Sequence, residues 1–212
     1  MQNDAPLQYL ESDDLDLFEK YVALRQRAYS EKYSGLPEDF GIPDEADRAS
    51  RIVYALRETA EEGRIVVGGA RLTISTPACP RRLPLEEKDF SLKTCDLLKD
   101  LQLDRNPYGE ISRMAAAPEY ARGFEVSWGL GNALCALAAR EGLDVVFSMC
   151  PELPARVNER NAKRRGALFH RYTELAPVCG MRMWLCAFTG LLTACVGSPW
   201  PGKNGDRHEI SR

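Results

Sequence analysis

The run Gly109-Glu-Ile-Ser-Arg-Met-Ala-Ala-Ala-Pro-Glu-Tyr-Ala-Arg-Gly123 dictates much of what this chain can become. It reads as a strand ended by Pro118, then a loop containing Arg122 and Gly123, then a helix from about Trp128. Side chains alternate along a strand, so Glu110, Ser112 and Met114 are expected on one face and Ile111 and Arg113 on the other. A carboxylate beside a hydroxyl on a half-buried strand is costly unless the two bind each other or a ligand. Beyond them, Ala115-Ala116-Ala117 is small enough for a ligand to lie against the backbone. The combination marks a candidate site.

Upstream, Gln8 to Asp16 gives a short strand and helix-start signals. Leu15, Phe18, Val22 and Leu24 then form the apolar face of a helix running to about Tyr29. Gly35 to Asp47 is loop-like, with Pro37, Gly41 and Pro43, and acidic through Glu38, Asp39, Asp44, Glu45 and Asp47. Arg51–Arg57 is β-rich, Ala60–Gly63 is a turn, and Arg64–Ile74 is a second strand of the hairpin. Gly68-Gly69 within that strand predicts a bulge or a close backbone approach. Residues 77–108 form a long connection with Pro77, Pro80, Pro84 and Pro107 and one short helix near Asp96–Leu101; a connection of this length is usually functional or a lid.

Downstream, Trp128–Glu141 is an amphipathic helix closed by Gly142, and Asp144–Cys150 is a buried-type strand. Pro154–Arg165 is a basic helix stopped by Gly166, and Met181–Phe188 is a further strand. This order predicts an α/β sandwich, a mixed sheet with helices on both faces. Residues 1–196 read as one domain and 197–212 as a polar, disordered tail.

Composition narrows the function classes. A net charge of −3 argues against whole-protein attraction to nucleic acid. The N-terminal Met1-Gln-Asn-Asp-Ala-Pro has neither a basic nor an apolar signal region, and the apolar run Met183–Val196 is about fourteen residues, short of the roughly twenty that span a bilayer. The seven cysteines are scattered and never form a C-x-x-C pair, which fits reduced, mostly buried thiols in a cytoplasmic protein. His170 and His208 are the only histidines, so neither a zinc site nor a Cys–His catalytic pair is expected.

Four motifs in this order resemble the GNAT acyltransferases, and more closely the acyl-homoserine-lactone synthases and long-chain N-acyl amino acid synthases. Arg25 and Tyr29 match an Arg followed four residues later by an aromatic at the end of the first helix. Asp44 and Asp47 match acidic positions of the next loop, Gly69-Ala-Arg71-Leu72 matches a Gly/Arg-Leu strand, and Glu110, Ser112 and Arg113 match a Glu-x-Ser/Gly-Arg strand. Leu83-Pro-Leu-Glu86 is similar to the N-acyl amino acid synthases. The resemblance covers about residues 15–190 and implies a GNAT-like three-layer αβα sandwich with a mixed central sheet. Two departures bear on substrate. Tyr33-Ser-Gly35 stands where the lactone synthases usually carry Trp, which argues against lactone synthesis. The coenzyme-A phosphate loop is present only in stretched form, Arg122-Gly123 to Gly129-Leu-Gly131, which favours an acyl carrier protein over coenzyme A as donor.

The implied reaction is attack of an amine on an acyl thioester, with no tightly bound cofactor and with S-adenosylmethionine as one acceptor to consider. A coenzyme-A-dependent N-acetyltransferase and a catalytically silent ligand-binding module are the alternatives. Glu110 would take the amine's proton, or else pair with an arginine such as Arg71. A backbone N–H near Met114, Ala115 and Ala116 would stabilise the oxyanion if the strand bulges there. Ser112 would orient the thioester or reprotonate the thiolate, or be a plain strand serine. Arg25, Arg71 and Arg113 suit a carboxylate or phosphate, or form salt bridges. Asp44 and Asp47 would hold the acceptor's positive charge, or cap a helix. Arg156, Arg160, Lys163 and Arg164 share a helix face, either a docking site for an acidic acyl carrier protein or a solvated surface. Val145–Met149 and Met183–Leu192 would line an acyl pocket or simply be core strands.

Overall fold

The computed structural model describes residues 6–33, 41–87, 101–103, 105–164, 166–178 and 181–194. Its elements are β1 (Gln8–Glu11), α1 (Leu15–Lys32), α2 (Glu45–Arg48), β2 (Arg51–Thr59), β3 (Gly63–Ser75), α3 (Pro84–Glu87) and β4 (Tyr108–Ala116). A 3-10 turn (Pro118–Gly123) follows, then α4 (Glu125–Arg140), β5 (Val145–Pro151), α5 (Glu152–Arg164), β6 (Leu168–Val178), β7 (Met181–Thr189) and α6 (Leu191–Ala194). The seven strands form one mixed sheet in the order β1-β2-β3-β4-β5-β7-β6. The pair β4–β5 is parallel, whereas β1–β2, β5–β7 and β6–β7 are antiparallel. The α/β class with a mixed sheet is thus as expected from the sequence.

The chain gathers into two compact units: the residues up to Arg71 with Arg113–Leu134, and Leu72–Ser112 with the segment that begins at Cys135. In the first unit, α1 starts where the Asp14 carboxylate accepts from the backbone N–H groups of Asp16 and Leu17, an N-cap that satisfies two otherwise unpaired donors. Its buried stripe is Tyr21, Leu24, Arg25 and Ala28, packed with Ile52, Tyr54, Leu56, Ala115 and Ala117. The expected face of Leu15, Phe18, Val22 and Leu24 is therefore rotated, and Leu15 is 67% exposed. A buried charge in the stripe, Arg25, hides the true apolar period. Gly68 and Gly69 are where β3 takes close neighbours, as the Gly-Gly pair predicts. A Cβ at Gly69 would stand 2.5 Å from the Tyr21 ring, and one at Gly68 would stand 2.5 Å from Val126 Cγ1.

In the second unit, Leu83, Leu85, Leu103, Val145, Phe147, Leu175, Met183, Leu185 and Ala187 form one buried cluster. The strand segments considered for an acyl pocket are core here. Gly142 and Gly166, with φ of +79° and +76°, follow α4 and α5 in the left-handed conformation that glycine adopts without steric cost.

Several expectations need correction. Strand β6 was not anticipated: among the described residues it pairs only with β7, carries register shifts at Arg171/Thr173 and Leu175/Val178, and mixes exposed Leu168 and Tyr172 with charged residues, so no clean alternation marks it. Helix α4 begins at Glu125 rather than Trp128, since the Trp128 N–H already donates to Phe124 O. Helix α1 runs to Lys32, three residues past Tyr29. A short helix, α3, forms at Pro84–Glu87, where the Glu86 carboxylate accepts from the Leu83 N–H. The helix expected near Asp96–Leu101 falls mainly outside the described residues, as does the tail 197–212. Strand β4 carries one irregularity that the alternation did not foresee, a φ of +55° at Arg113.

Candidate functional site

Five charged side chains of the first unit converge below α1. Arg25, fully buried, grips Asp47 with a two-pronged contact, Nη1 to Oδ1 at 3.0 Å and Nη2 to Oδ2 at 2.9 Å. Its Nε and Nη2 also donate to Gly41 O and Ile42 O, at 3.0 and 2.9 Å. Arg71 Nη1, from β3, donates to Asp44 Oδ1 at 2.5 Å and to Asp47 Oδ1 at 2.9 Å. Arg113, from the irregular part of β4, reaches Asp44 Oδ2 at 3.1 Å. The two aspartates also cap α2 reciprocally: Asp47 N–H donates to Asp44 Oδ1, and Asp44 N–H donates to Asp47 Oδ2.

Three guanidiniums meet two carboxylates here. Burial works to raise the Asp44 pKa, but the hydrogen bonds and charges of Arg71 and Arg113 outweigh it and bring it down to about 2. Asp47 is likewise held below the ordinary carboxylate range, burial being overcome by Arg25 and Arg71. Burial disfavours the charge on Arg25 and Arg71, yet their aspartate partners keep both above the usual arginine value. Asp44, Asp47, Arg25 and Arg71 are therefore all charged at neutral pH. Only Asp44 reaches solvent appreciably, with a side chain 31% exposed against 9% for Arg113 and 0% for Asp47.

The part of β4 with the left-handed residue Arg113 adjoins this cluster. Tyr21 Oη donates to Arg113 O at 2.5 Å, and Tyr29 Oη donates to Met114 O at 3.3 Å. Tyr21 is fully buried, lies edge-on to Tyr54, and has the Arg25 guanidinium 5.2 Å from its ring centre. Burial pushes its hydroxyl up to about 12, so it remains a donor throughout the neutral range.

The structure thus brings together Arg25, Tyr29, Asp44, Asp47, Arg71, Arg113 and Met114. Ala115 is buried among α1 residues, and Ala116 ends the strand. Glu110 and Ser112 belong to the second unit. There the Glu110 carboxylate is fully buried, opposite Phe147 in the β4–β5 register, and accepts from the Leu85 N–H at 2.9 Å. Arg122 and Gly123 end the 3-10 turn. A Cβ at Gly129 would overlap the ring of Tyr9, whose hydroxyl donates to Glu125 O, whereas a Cβ at Gly131 would meet nothing. On α5, Arg156 donates to Glu152 at 2.7 Å, and Arg160 and Lys163 are exposed. Sequence reasoning passed over Tyr21 and Tyr9. For Tyr21 a signal existed, since it precedes Arg25 by four residues and Tyr29 by eight on one helix. Among the described residues no group of His, Cys, Asp and Glu side chains has the arrangement of a metal site, and no helix is long and apolar enough to cross a membrane.

A mixed sheet with a parallel pair β4–β5 among antiparallel pairs, and with α4 following β4, is a GNAT-like fold. Three solved structures with which the chain shares it are synthases. One is FeeM, an N-acyl amino acid synthase from uncultured soil microbes, with 11% identity, a TM-score of 0.61, and 87% of this chain and 91% of that one covered. Another is LasI, an acyl-homoserine-lactone synthase, with 17% identity, a TM-score of 0.55, and coverages of 87% and 89%. The third is BjaI, a coenzyme-A-dependent acyl-homoserine-lactone synthase seen with S-adenosylmethionine and isopentyl-coenzyme A, with 18% identity, a TM-score of 0.54, and coverages of 84% and 79%. At these identities the likeness is one of fold. No family model and no curated protein matches the sequence.

Proposed function

We propose that this chain is an N-acyltransferase that moves a fatty acyl group from an acyl carrier protein thioester to the amine of an amino-acid-like acceptor. The observation that carries the reading is the Arg25–Asp47–Arg71–Asp44–Arg113 network beside a strand with a left-handed residue at Arg113, within a fold shared with synthases of that kind. The guanidiniums suit an acceptor carboxylate by type, and Asp44, the member open to solvent, suits the acceptor's ammonium. Asp47 acts from behind by holding Arg25 and Arg71. Glu110, three residues before Arg113 on β4, takes the ammonium proton directly or through a water, and Ser112 orients the thioester or reprotonates the departing thiolate.

Arg156, Arg160 and Lys163, exposed on α5, form the docking face for the acidic carrier protein; the Arg164 side chain, placed with them from the sequence, lies outside the described ones. The phosphopantetheine lies toward Arg122, Gly123, Gly129 and Gly131. A coenzyme-A donor is the second reading, favoured by the fold shared with BjaI.

The test is thiol release from acyl-carrier-protein and acyl-coenzyme-A donors, with S-adenosylmethionine or free amino acids as acceptors. Release that depends on a free amino acid supports an N-acyl amino acid synthase. Release that depends on S-adenosylmethionine and yields a lactone makes the chain a signal synthase instead. No release with any pair sinks the reading in favour of a binding module. In the active combination, Glu110→Gln is expected to lower kcat by about 100-fold or more with the unfolding midpoint kept; equal turnover removes Glu110 as the base.

A further inference from the structure

The motif Leu83-Pro-Leu-Glu86 has no part in the reaction so far, yet it closes against the carboxylate given the role of base. Glu86 holds Leu83 twice: its N–H donates to Leu83 O at 2.8 Å, and its carboxylate Oε2 accepts from the Leu83 N–H at 2.9 Å. Pro84 and Leu85 are thereby enclosed in one closed turn. Pro84 fixes its own φ and brings no N–H, which suits the first position of α3. The Leu85 N–H follows it. A donor in the first turn of a helix has no acceptor within that helix. This one finds its acceptor on β4, Glu110 Oε2, at 2.9 Å.

Packing keeps the turn in place. Leu83 and Leu85 are both fully buried, in one cluster with Val145, Phe147, Met183 and Leu185. Phe147, a member of that cluster, stands opposite Glu110 in the β4–β5 register. An amide on a backbone seated this way is a fixed donor. A general base needs such fixing, because a misplacement of about 1 Å can cost about 100-fold in rate. Glu86 itself is only half-buried, so its own packing is a small part of what it does.

We infer that Glu86 is a positioning residue: its cap on Leu83 fixes the Pro84–Leu85 turn, which sets the Leu85 N–H against Glu110 and so aims that carboxylate for proton abstraction. This rests on the acyl-transfer reading above, in which Glu110 is the base. Glu86 acts through the backbone it closes, not on the substrate.

The experiment measures thiol release by the full-length chain from whichever acyl thioester it turns over. The variants are Glu86→Ala, Glu86→Gln, Glu110→Gln, and Glu86→Ala combined with Glu110→Gln. Glu86→Ala is expected to lower kcat by about 10-fold or more, with the KM for the thioester within about twofold of the unaltered value. Glu86→Gln keeps an oxygen for the Leu83 N–H and is expected to hold kcat within about threefold. Added to Glu110→Gln, Glu86→Ala should lower kcat no further, because the base it aims is gone. A merely structural cap would cost the same factor in both backgrounds, and that result overturns the inference. So does a Glu86→Ala kcat equal to the unaltered one, or a loss in Glu86→Gln as large as that in Glu86→Ala. The second readout is the Leu85 amide signal in a nitrogen–proton correlation spectrum. It moves in Glu86→Ala and stays in Glu86→Gln; an unmoved signal in Glu86→Ala also overturns the inference. Should Glu86→Ala not fold, Pro84→Gly, which loosens the same turn and leaves Glu86 in place, decides by the same criteria. If the unaltered protein releases no thiol from any donor, the acyl-transfer reading fails, and the Leu85 signal alone decides whether Glu86 sets this turn against Glu110.

Discussion

Replacing Asp47 by Asn removes the negative charge that two buried guanidiniums share. The Asp47 side chain is 0% exposed and takes two hydrogen bonds from Arg25, one from Arg71 and one from the Asp44 N–H. Asparagine keeps one oxygen acceptor but turns its other prong into a donor aimed at a donor. Arg25, itself 0% exposed, is left with one amide oxygen and the carbonyls of Gly41 and Ile42, and no carboxylate, to face its charge. Breaking a buried ion pair by removing one partner costs about 3–5 kcal/mol. The retained oxygen, together with Asp44 on the Arg71 side, puts the expected loss near the lower end, about 3 kcal/mol. Against a total stability on the order of 5–15 kcal/mol, that is a large share. For a chain of this size it lowers Tm by about 6–12 °C. Guanidinium chloride unfolding followed by tryptophan fluorescence measures it, with the slope m compared between the two proteins so that a shifted midpoint is a real change in stability. A loss under about 1 kcal/mol at unchanged m would refute the reasoning, because it would mean that the buried Arg25 charge does not depend on Asp47.

Acid should weaken the fold through Asp44. Its folded pKa of about 2 lies below the ordinary 3.8, so its contribution is complete above pH 3.8 and is lost as pH falls from 3.8 toward 2. With allowance for screening at a partly exposed carboxylate the contribution is on the order of 1–2 kcal/mol, and Asp44→Asn should flatten the pH dependence of stability in that window; an unchanged slope counts against the pairing. Gly69→Ala should cost about 1–3 kcal/mol, because the new methyl would sit 2.5 Å from a Tyr21 ring that has no room to retreat; thermal unfolding at the wild-type midpoint would count against that close approach.

Local signals found most of the fold. Proline and glycine punctuation gave the hairpin β2–β3, the start of β4 and the ends of α4 and α5, because those residues act on the backbone wherever they sit. Strand β6 escaped because it is supported from one side only and its bulges scramble the alternation that a reader of sequence relies on. The candidate site was visible by residue type at Arg25, Asp44, Asp47, Arg71 and Arg113. Their pairing was not, since it depends on bringing together residues separated by up to 69 positions. Tyr21 was missed for a related reason. A tyrosine on a helix reads as core, and nothing local shows that its hydroxyl ends on a strand carbonyl 92 residues away.

The four-residue helix α2 has a consequence for the order of assembly. A helix so short cannot hold itself together, since nucleation alone outweighs its few internal bonds. The segment 41–48 instead borrows its shape from groups fixed elsewhere: Arg25 grasps Gly41 O, Ile42 O and the Asp47 carboxylate, and Arg71 joins both aspartates. It can therefore settle only after α1 and β3 have come together, a latecomer to the native state. By the same token it loosens when those anchors loosen, so Asp44, which would greet a charged acceptor, lies on a stretch with little stability of its own.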